Sequence, residues 1–472
     1  MSKYNLVQVG KNCFRYQRTG DMLVDVELYI SPELCKKVES GAIKQLIDAA
    51  TLPGVYKKVV GMPDIHEGFG LPIGGIMASD GEIGVISAGA VGMDINCGVR
   101  LLQSPIPVNA VSKRTLEKLV KAIVEQVPVG VGQKNKLGFK SKDFNAILTQ
   151  GIDYLFKKGL AVATDLEHTE ERGYFAGANP DAVSKTARER GFYQLGTLGG
   201  GNHFIEIGYI DTIYDQKRAD RYGLKKGNIT VLIHTGSRAF GHQICTDYSK
   251  EMLKEAERLG IRLPSKGLAA VPIHSKCGQR YYQAMAAAIN FAFANRQIIT
   301  HLIREIFADF FGGQHTLTLI YDVAHNIAKF ETHFGRKVLV HRKGATRALP
   351  AKDPANPSCY QDVGHPAIIP GSMGNPSYVM VGLCGIEETF KSINHGAGRV
   401  LSRRAARRQI STDDLKKKIG NVVINTPKFK KILDEAPQAY KDIDQVVMAM
   451  EDTGKAKRVA RHRPLAVIKG ED

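Results

Sequence analysis

The sequence predicts an α+β fold, and three observations carry that reading. Short β-branched runs and amphipathic helical stretches are both present, yet they do not alternate as a doubly wound sheet requires. The composition, 43% hydrophobic and 24% charged, is that of a globular chain able to bury a large core. Length alone gives a prior of two or three domains, but no internal repeat and no low-complexity linker marks a domain cut, so a single large α+β body over residues 1–472 is allowed. In chain order, residues 115–127 have helical periodicity and residues 229–233 read as a strand. The most strongly helical stretch is 281–311, where apolar residues recur at three and four. Strands are then predicted at 316–321, 337–340, 378–383, 421–424 and 465–468.

The formal charge of +18, from 65 Lys and Arg against 47 Asp and Glu, favours a polyanionic partner. The opening residues lack the apolar stretch of a signal peptide, and no run reaches the ~18 apolar residues of a membrane helix, so a cytoplasmic protein without membrane contact is expected. The 7 cysteines, at 13, 35, 97, 245, 277, 359 and 384, are scattered and form no CxxC pair, which argues against a disulfide framework or zinc finger. Residues 399–472 carry 18 Lys and Arg against 10 Asp and Glu, including the cluster Arg403, Arg404, Arg407 and Arg408. Such a stretch is either a solvated face or a surface that tracks phosphates.

The common nucleotide cradles are missing. There is no Walker A loop, no G-x-G-x-x-G opening a helix with a suitable acidic residue downstream, and no lysine-x-Asp-Gly. Four glycine-rich turns instead place potential ligands beside apolar runs, at 89–102, 196–208, 231–242 and 319–331. They offer Asp94, Cys97, His203, His234 and His325. Glycine lets backbone approach an ion or phosphate closely. Thiolate and imidazole suit zinc, whereas the hard Asp oxygen admits manganese, so the donors leave the metal open. His395 precedes Gly-Ala-Gly and a helical pattern, which predicts a place at or just before a helix N-terminus, where free N–H groups favour anions. There it is a phosphate contact, a cap or a nucleophile towards phosphorus, with Arg399 one turn on as a phosphate-binding cation.

With these segments in view, the chain resembles the RtcB family of RNA ligases. The resemblance rests on MPDIHEGFGLPIGG (62–75), GMDINCGVR (92–100), GGGNHFIE (199–206), HTGSR (234–238), AHN (324–326), HRKGATRA (341–348), PGSMG (370–374), HGAGR (395–399) and VIKG (467–470). It implies that residues 1–472 form a single catalytic α+β domain around a pocket for two Mn(II) ions and GTP, with the basic portion 399–472 adding RNA-binding surface. By motif, Cys97 would bridge the ions, with Asp94, His203, His234 and His325 as further ligands. His395 would carry the covalent GMP, with Asp64 and Arg399 positioning the RNA or its phosphates. Nucleotide contacts would come from Asn202, Glu206, Asn326, Pro370, Gly371, Ser372, Met373, Ser377, Gly396, Ala397, Gly398 and Lys469.

The implied reaction joins RNA bearing a 3'-phosphate or 2',3'-cyclic phosphate to a 5'-hydroxyl end, in tRNA splicing or RNA repair, with room for an activating partner protein. Two other readings compete. One is a metal-dependent RNA cyclic phosphodiesterase or phosphatase without ligation, and the other is a non-catalytic RNA-binding protein. Residues 132–179 and 410–463 hold no placed motif and are expected to shape the RNA surface.

Overall fold

The computed structural model describes residues 4–135, 137–313 and 317–471. The fold is α+β, with two large sheets. The seven-stranded sheet runs in the order Val7–Gly10, Cys13–Tyr16, Asp25–Tyr29, Val55–His66, Ile73–Asp80, Arg336–Lys343, Asn326–His333. Its neighbours pair antiparallel except Asp25–Tyr29 with Val55–His66, which pair parallel. The eight-stranded sheet runs Thr318–Ala324, Gly98–Pro107, Asn228–Thr235, Phe204–Ile213, Ala456–Lys469, Ser377–Gly382, Ala367–Ile369, with Val423–Ile424 added to Ala456–Lys469. One residue, His325, separates the last strand of the first sheet from the first strand of the second.

The long helix Lys276–Phe311 starts where the Ser275 hydroxyl accepts from the Gly278 N–H and ends at Gly312, whose φ of 72° no ordinary side chain adopts readily. From Ala284 to Thr300 every residue is buried, so this helix is a core element wrapped on all sides. It contains the predicted stretch 281–311. The predicted helix at 115–127 is observed as Lys113–Gln126, capped by Ser112, with Leu116, Leu119, Val120 and Ile123 inward.

Strands 229–233, 337–340 and 378–383 fall on Asn228–Thr235, Arg336–Lys343 and Ser377–Gly382. The strand expected at 316–321 is Thr318–Ala324, and Thr316 itself lies outside the described residues. Two predictions are corrected in extent. Residues 465–468 are the end of a 14-residue strand, and 421–424 shrinks to the two residues Val423–Ile424. The long strand contains Pro464, which cannot donate to a ladder, and the register shifts between Pro464 and Ala466.

Candidate active site

The ligand-bearing turns converge because their strands end together. In the eight-stranded sheet His234 faces Val99 on one side and Phe204 on the other, while Ala324 pairs with Gly98. Residues 94–97, His203, His234 and His325 therefore sit at one end of four adjacent strands. The Cys97 Sγ lies 3.5 Å from His203 Nε2 and 3.4 Å from His234 Nε2. His203 Nε2 is 2.7 Å from Asp94 Oδ2, and His234 Nε2 is 3.3 Å from His325 Nε2. The donors form two triads, Asp94–Cys97–His203 and Cys97–His234–His325, each with its atoms within 4.8 Å of one another and with Cys97 in common.

The backbone beneath them is locked. Arg296, fully buried in the long helix, donates to the carbonyls of Asn96 at 2.8 Å and Thr235 at 2.9 Å, and pairs with buried Asp322 at 2.8 Å. Asn96 donates to the Ile289 carbonyl, and Asn295 to that of Gly236. The His325 N–H donates to the Cys97 carbonyl at 2.8 Å, and the Asn326 amide to the Asp94 carbonyl at 3.1 Å. Gly236 is required here, because a Cβ would stand 2.6 Å from an Asp94 oxygen and 2.7 Å from the Cys97 Cα. Sequence reasoning missed Arg296, Asn295 and Asn96. The signal was available for two of them, in Asn, Arg and Gln clustered at 295–297 within an otherwise apolar helix.

The donor set suits cations. Burial holds the His234 and His325 rings neutral, so each retains a lone pair for a ligand bond, and the like charge of neighbouring histidines acts in the same direction. Burial and the Asp94 carboxylate push the Cys97 thiol well up, and a dication bound beside the sulfur would supply the field that a thiolate needs. Burial would raise the Asp94 carboxyl, but His203 and Arg238 more than offset it and hold it down at about 2. The buried Nδ1 atoms of His203 and His234 have no hydrogen-bond partner among the described residues. Three imidazole nitrogens, one sulfur and one carboxylate oxygen could hold two divalent ions that share Cys97.

His395 stands beside these donors, with its ring centroid 4.9 Å from that of His325. Its expected place at a helix start is overturned. It follows the strand Ser392–Asn394, and the next helix, Arg403–Gln409, begins only after its cap Ser402. The Gly-Ala-Gly segment turns the chain instead of opening a helix, and the anion that gathers the local N–H groups is internal. Asp64 Oδ2 accepts from His395 Nδ1 at 2.6 Å, from the His395 N–H at 3.0 Å and from the Gly396 N–H at 3.3 Å. Asp64 is fully buried, and the hydrogen bonds of its Oδ2 are to His395 and Gly396. Burial would raise its carboxyl, but His395 and the nearby Lys441 hold it below the ordinary carboxylate range.

The main cavity, of about 590 Å³, is bordered by Asp94, Cys97, His203, His234, His325, Asn326, Asn202 and His395, with Arg238, Lys343 and Arg403 as cations. A second, of about 220 Å³, shares Asn202, His395 and Arg403 and adds Pro370, Gly371, Gly396, Ala397, Gly398 and Arg399. Arg399 donates to Glu435 at 3.2 Å and to the Tyr440 hydroxyl at 2.9 Å, so part of its charge is already engaged. The other expected nucleotide residues stand further back. The Ser377 hydroxyl accepts from the Gly371 N–H, Ser372 accepts from Asn375, and Met373 packs in a core cluster. Glu206 lies 3.0 Å from His462, and Lys469 donates to the Gly201 carbonyl at 2.6 Å beside Glu435.

A family model described as tRNA-splicing ligase RtcB matches residues 45–470 of this chain. The "tRNA-splicing ligase RtcB" of Thermococcus kodakarensis is 45% identical over 460 residues, covering 95% of each chain. The protein of the same description from Archaeoglobus fulgidus is 45% identical over 459 residues, again covering 95% of each. The "RNA-splicing ligase RtcB" of Mycobacterium tuberculosis is 42% identical over 438 residues, covering 90% of this chain and 100% of its own. With a match from residue 45 to residue 470 and such identity across bacteria and archaea, the chain belongs to the RtcB family.

Proposed function

We propose that this chain is a GTP- and Mn(II)-dependent RNA ligase. It would join RNA ends bearing a 3'-phosphate or 2',3'-cyclic phosphate to 5'-hydroxyl ends through a GMP–histidine intermediate. The names of its relatives support an RNA-ligase reading, and the observation that carries the mechanism is the geometry of His395. Asp64 accepts the Nδ1 proton at 2.6 Å, which fixes the tautomer and leaves the lone pair on Nε2, the ring nitrogen open to the cavity. That nitrogen is a nucleophile towards the α-phosphorus of GTP, with pyrophosphate as leaving group. Asp64 stabilises the imidazole as its ring gains positive character in the attack. An oxygen of the RNA 3'-phosphate then takes the GMP from Nε2, and the 5'-hydroxyl displaces GMP from the activated 3'-phosphate. A cyclic phosphate is opened by water beforehand.

Manganese bound by Asp94, Cys97, His203, His234 and His325 would supply charge neutralisation and polarise phosphoryl oxygens. Arg238 and Arg403 border the same cavity and favour the polyphosphate and the RNA ends, while the Lys343 ammonium is held by the Phe69 and Gly89 carbonyls. The smaller cavity beyond His395, walled by Pro370, Gly371 and the Gly396–Gly398 backbone, fits the nucleoside side of the adduct. The site draws on residues from Asp64 to Lys469, which supports treating the chain as one catalytic unit, and its free cysteines accord with a reducing cytoplasm.

Incubation with labelled GTP and Mn(II) tests the reading. The protein should take one label, stable to alkali and labile to acid as a phosphoramidate is, and His395→Ala should take none. Absence of label on the wild-type chain overturns it. Hydrolysis of cyclic phosphate without any nucleotide adduct would favour a metal-dependent phosphodiesterase.

A further inference from the structure

Three large apolar side chains stand exposed where the main cavity opens: Phe69 at 44%, Met93 at 37% and Val131 at 70%. Single exposed apolar residues are ordinary, but these three come from separate segments and meet at one opening. Phe69 is also held there. The Gly68 N–H donates to Gln45 Oε1 at 3.1 Å, and the Gln45 amide donates back to the Gly68 carbonyl. The Lys343 ammonium donates to the Phe69 carbonyl itself, and the Leu71 N–H donates to the Gly89 carbonyl at 3.3 Å. Gly70, at φ +81°, makes the turn where a Cβ would lie 2.4 Å from the Gly267 carbonyl oxygen. The backbone on both sides of Phe69 is thus fixed, and the ring is presented to solvent by construction.

The surroundings say what covers it. Among the described residues bordering the cavity the only carboxylate is Asp94, against Arg238, Lys343 and Arg403. An exposed ring beside a cationic channel is the arrangement that binds single-stranded nucleic acid, with phosphates on the charges and bases on the ring faces. The geometry points to Phe69, flanked by Met93 and Val131, as the stacking platform for the terminal nucleobase of an RNA end whose phosphate enters the cavity. This assignment rests on the RNA-ligase reading for its ligand, and it makes Phe69 a positioning residue that sets how a terminal nucleotide is seated.

The test is binding of a short 3'-phosphorylated RNA to the full chain, with Mn(II) and without GTP so that no chemistry proceeds. Two oligonucleotides differ only in that one is abasic at its last nucleotide. The wild-type chain should prefer the base-bearing RNA by about tenfold, the scale of one base–aromatic stack. Phe69→Leu, which keeps apolar bulk and loses the π-face, should reduce that preference to near unity, and Phe69→Trp should keep it. The dependence of affinity on salt should be the same in all three, because the cations that meet the phosphates are untouched. Equal affinity of the wild-type chain for both RNAs overturns the platform. Full preference in Phe69→Leu also overturns it, and leaves the apolar rim to a partner protein. Failure of the wild-type chain to take label from GTP, with the base preference intact, would remove the ligase mechanism while supporting the platform.

Discussion

Asp64 and Cys97 each do something at the scale of one atom that a neighbour cannot replace. Asp64 Oδ2 receives three donors from His395 and Gly396, so one oxygen sets both the ring tautomer and the turn that carries it. Asp64→Asn keeps the volume but offers an amide that can turn its NH₂ towards the ring and select the other tautomer. GMP transfer to His395 should fall on the order of 10⁴-fold, the loss seen when a tautomer-fixing carboxylate becomes an amide. Rate measurements with labelled GTP check this, and an unchanged rate would mean that the hydrogen bond is not what orients the ring. Cys97 is the donor common to both triads, whereas His325 belongs to one. Cys97→Ala should therefore weaken binding of both Mn(II) ions, and His325→Ala chiefly that of one, as read by metal analysis after dialysis. Equal stoichiometry in the two variants would exclude a shared thiolate.

The helix Arg403–Gln409 shows how an element divides a charge cluster. With Ala406 buried, Arg403 and Arg407 turn to the acids beneath, 3.7 Å from Glu435 and 3.3 Å from Asp434, while Arg404 and Arg408 face outward. Neutralising the outward pair as Arg404→Gln and Arg408→Gln should weaken RNA binding and reduce its salt slope, by roughly 0.7 for each single-strand phosphate that is no longer neutralised, with labelling by GTP unaffected. The pair Arg403→Gln and Arg407→Gln should also lower labelling, since Arg403 borders both cavities. A titration of affinity against salt, run beside the label assay, separates the two. The four arginines were legible in the sequence as a cluster, but their division was not, because it depends on where Asp434 and Glu435 fold back. His395 was misplaced for a related reason. Glycines after a histidine can open a helix or turn a strand, and only the buried carboxylate of Asp64, 331 residues away, decides between them. Strands such as Asn228–Thr235 were readable because both faces are buried and the β-branched run is continuous.

For the whole molecule, the site is anchored by buried charge as well as by apolar packing. Residues 132–179, expected to form RNA surface, also contribute core acids: Asp165 accepts two bonds from Arg304 at 2.7 Å, and Glu170 lies inside the fold. Glu170 accepts from Lys329 at 2.8 Å, pairs with Arg347 at 3.1 Å and receives the N–H of Ala324 at 2.9 Å, one residue before His325. The network thus connects the entry of a proposed metal ligand to a segment with no motif, which is why the sequence did not reveal it. Burial would raise the Glu170 carboxyl, but Lys329 and Arg347 more than offset it and hold it down at about 2. A carboxyl held below its unfolded value of about 4.3 adds stability that is complete above that value and lost as pH falls through the folded one. The loss amounts to about 3 kcal/mol between roughly pH 5 and pH 2. Glu170→Gln removes the charge and leaves Lys329 and Arg347 buried against one acid fewer, so it should cost about 3 to 5 kcal/mol at pH 7. Urea unfolding of both proteins at pH 7, 4 and 3 should show the gap narrowing as the wild-type carboxyl is forced to take a proton, and a gap independent of pH would place the stabilisation in packing rather than in the ion network.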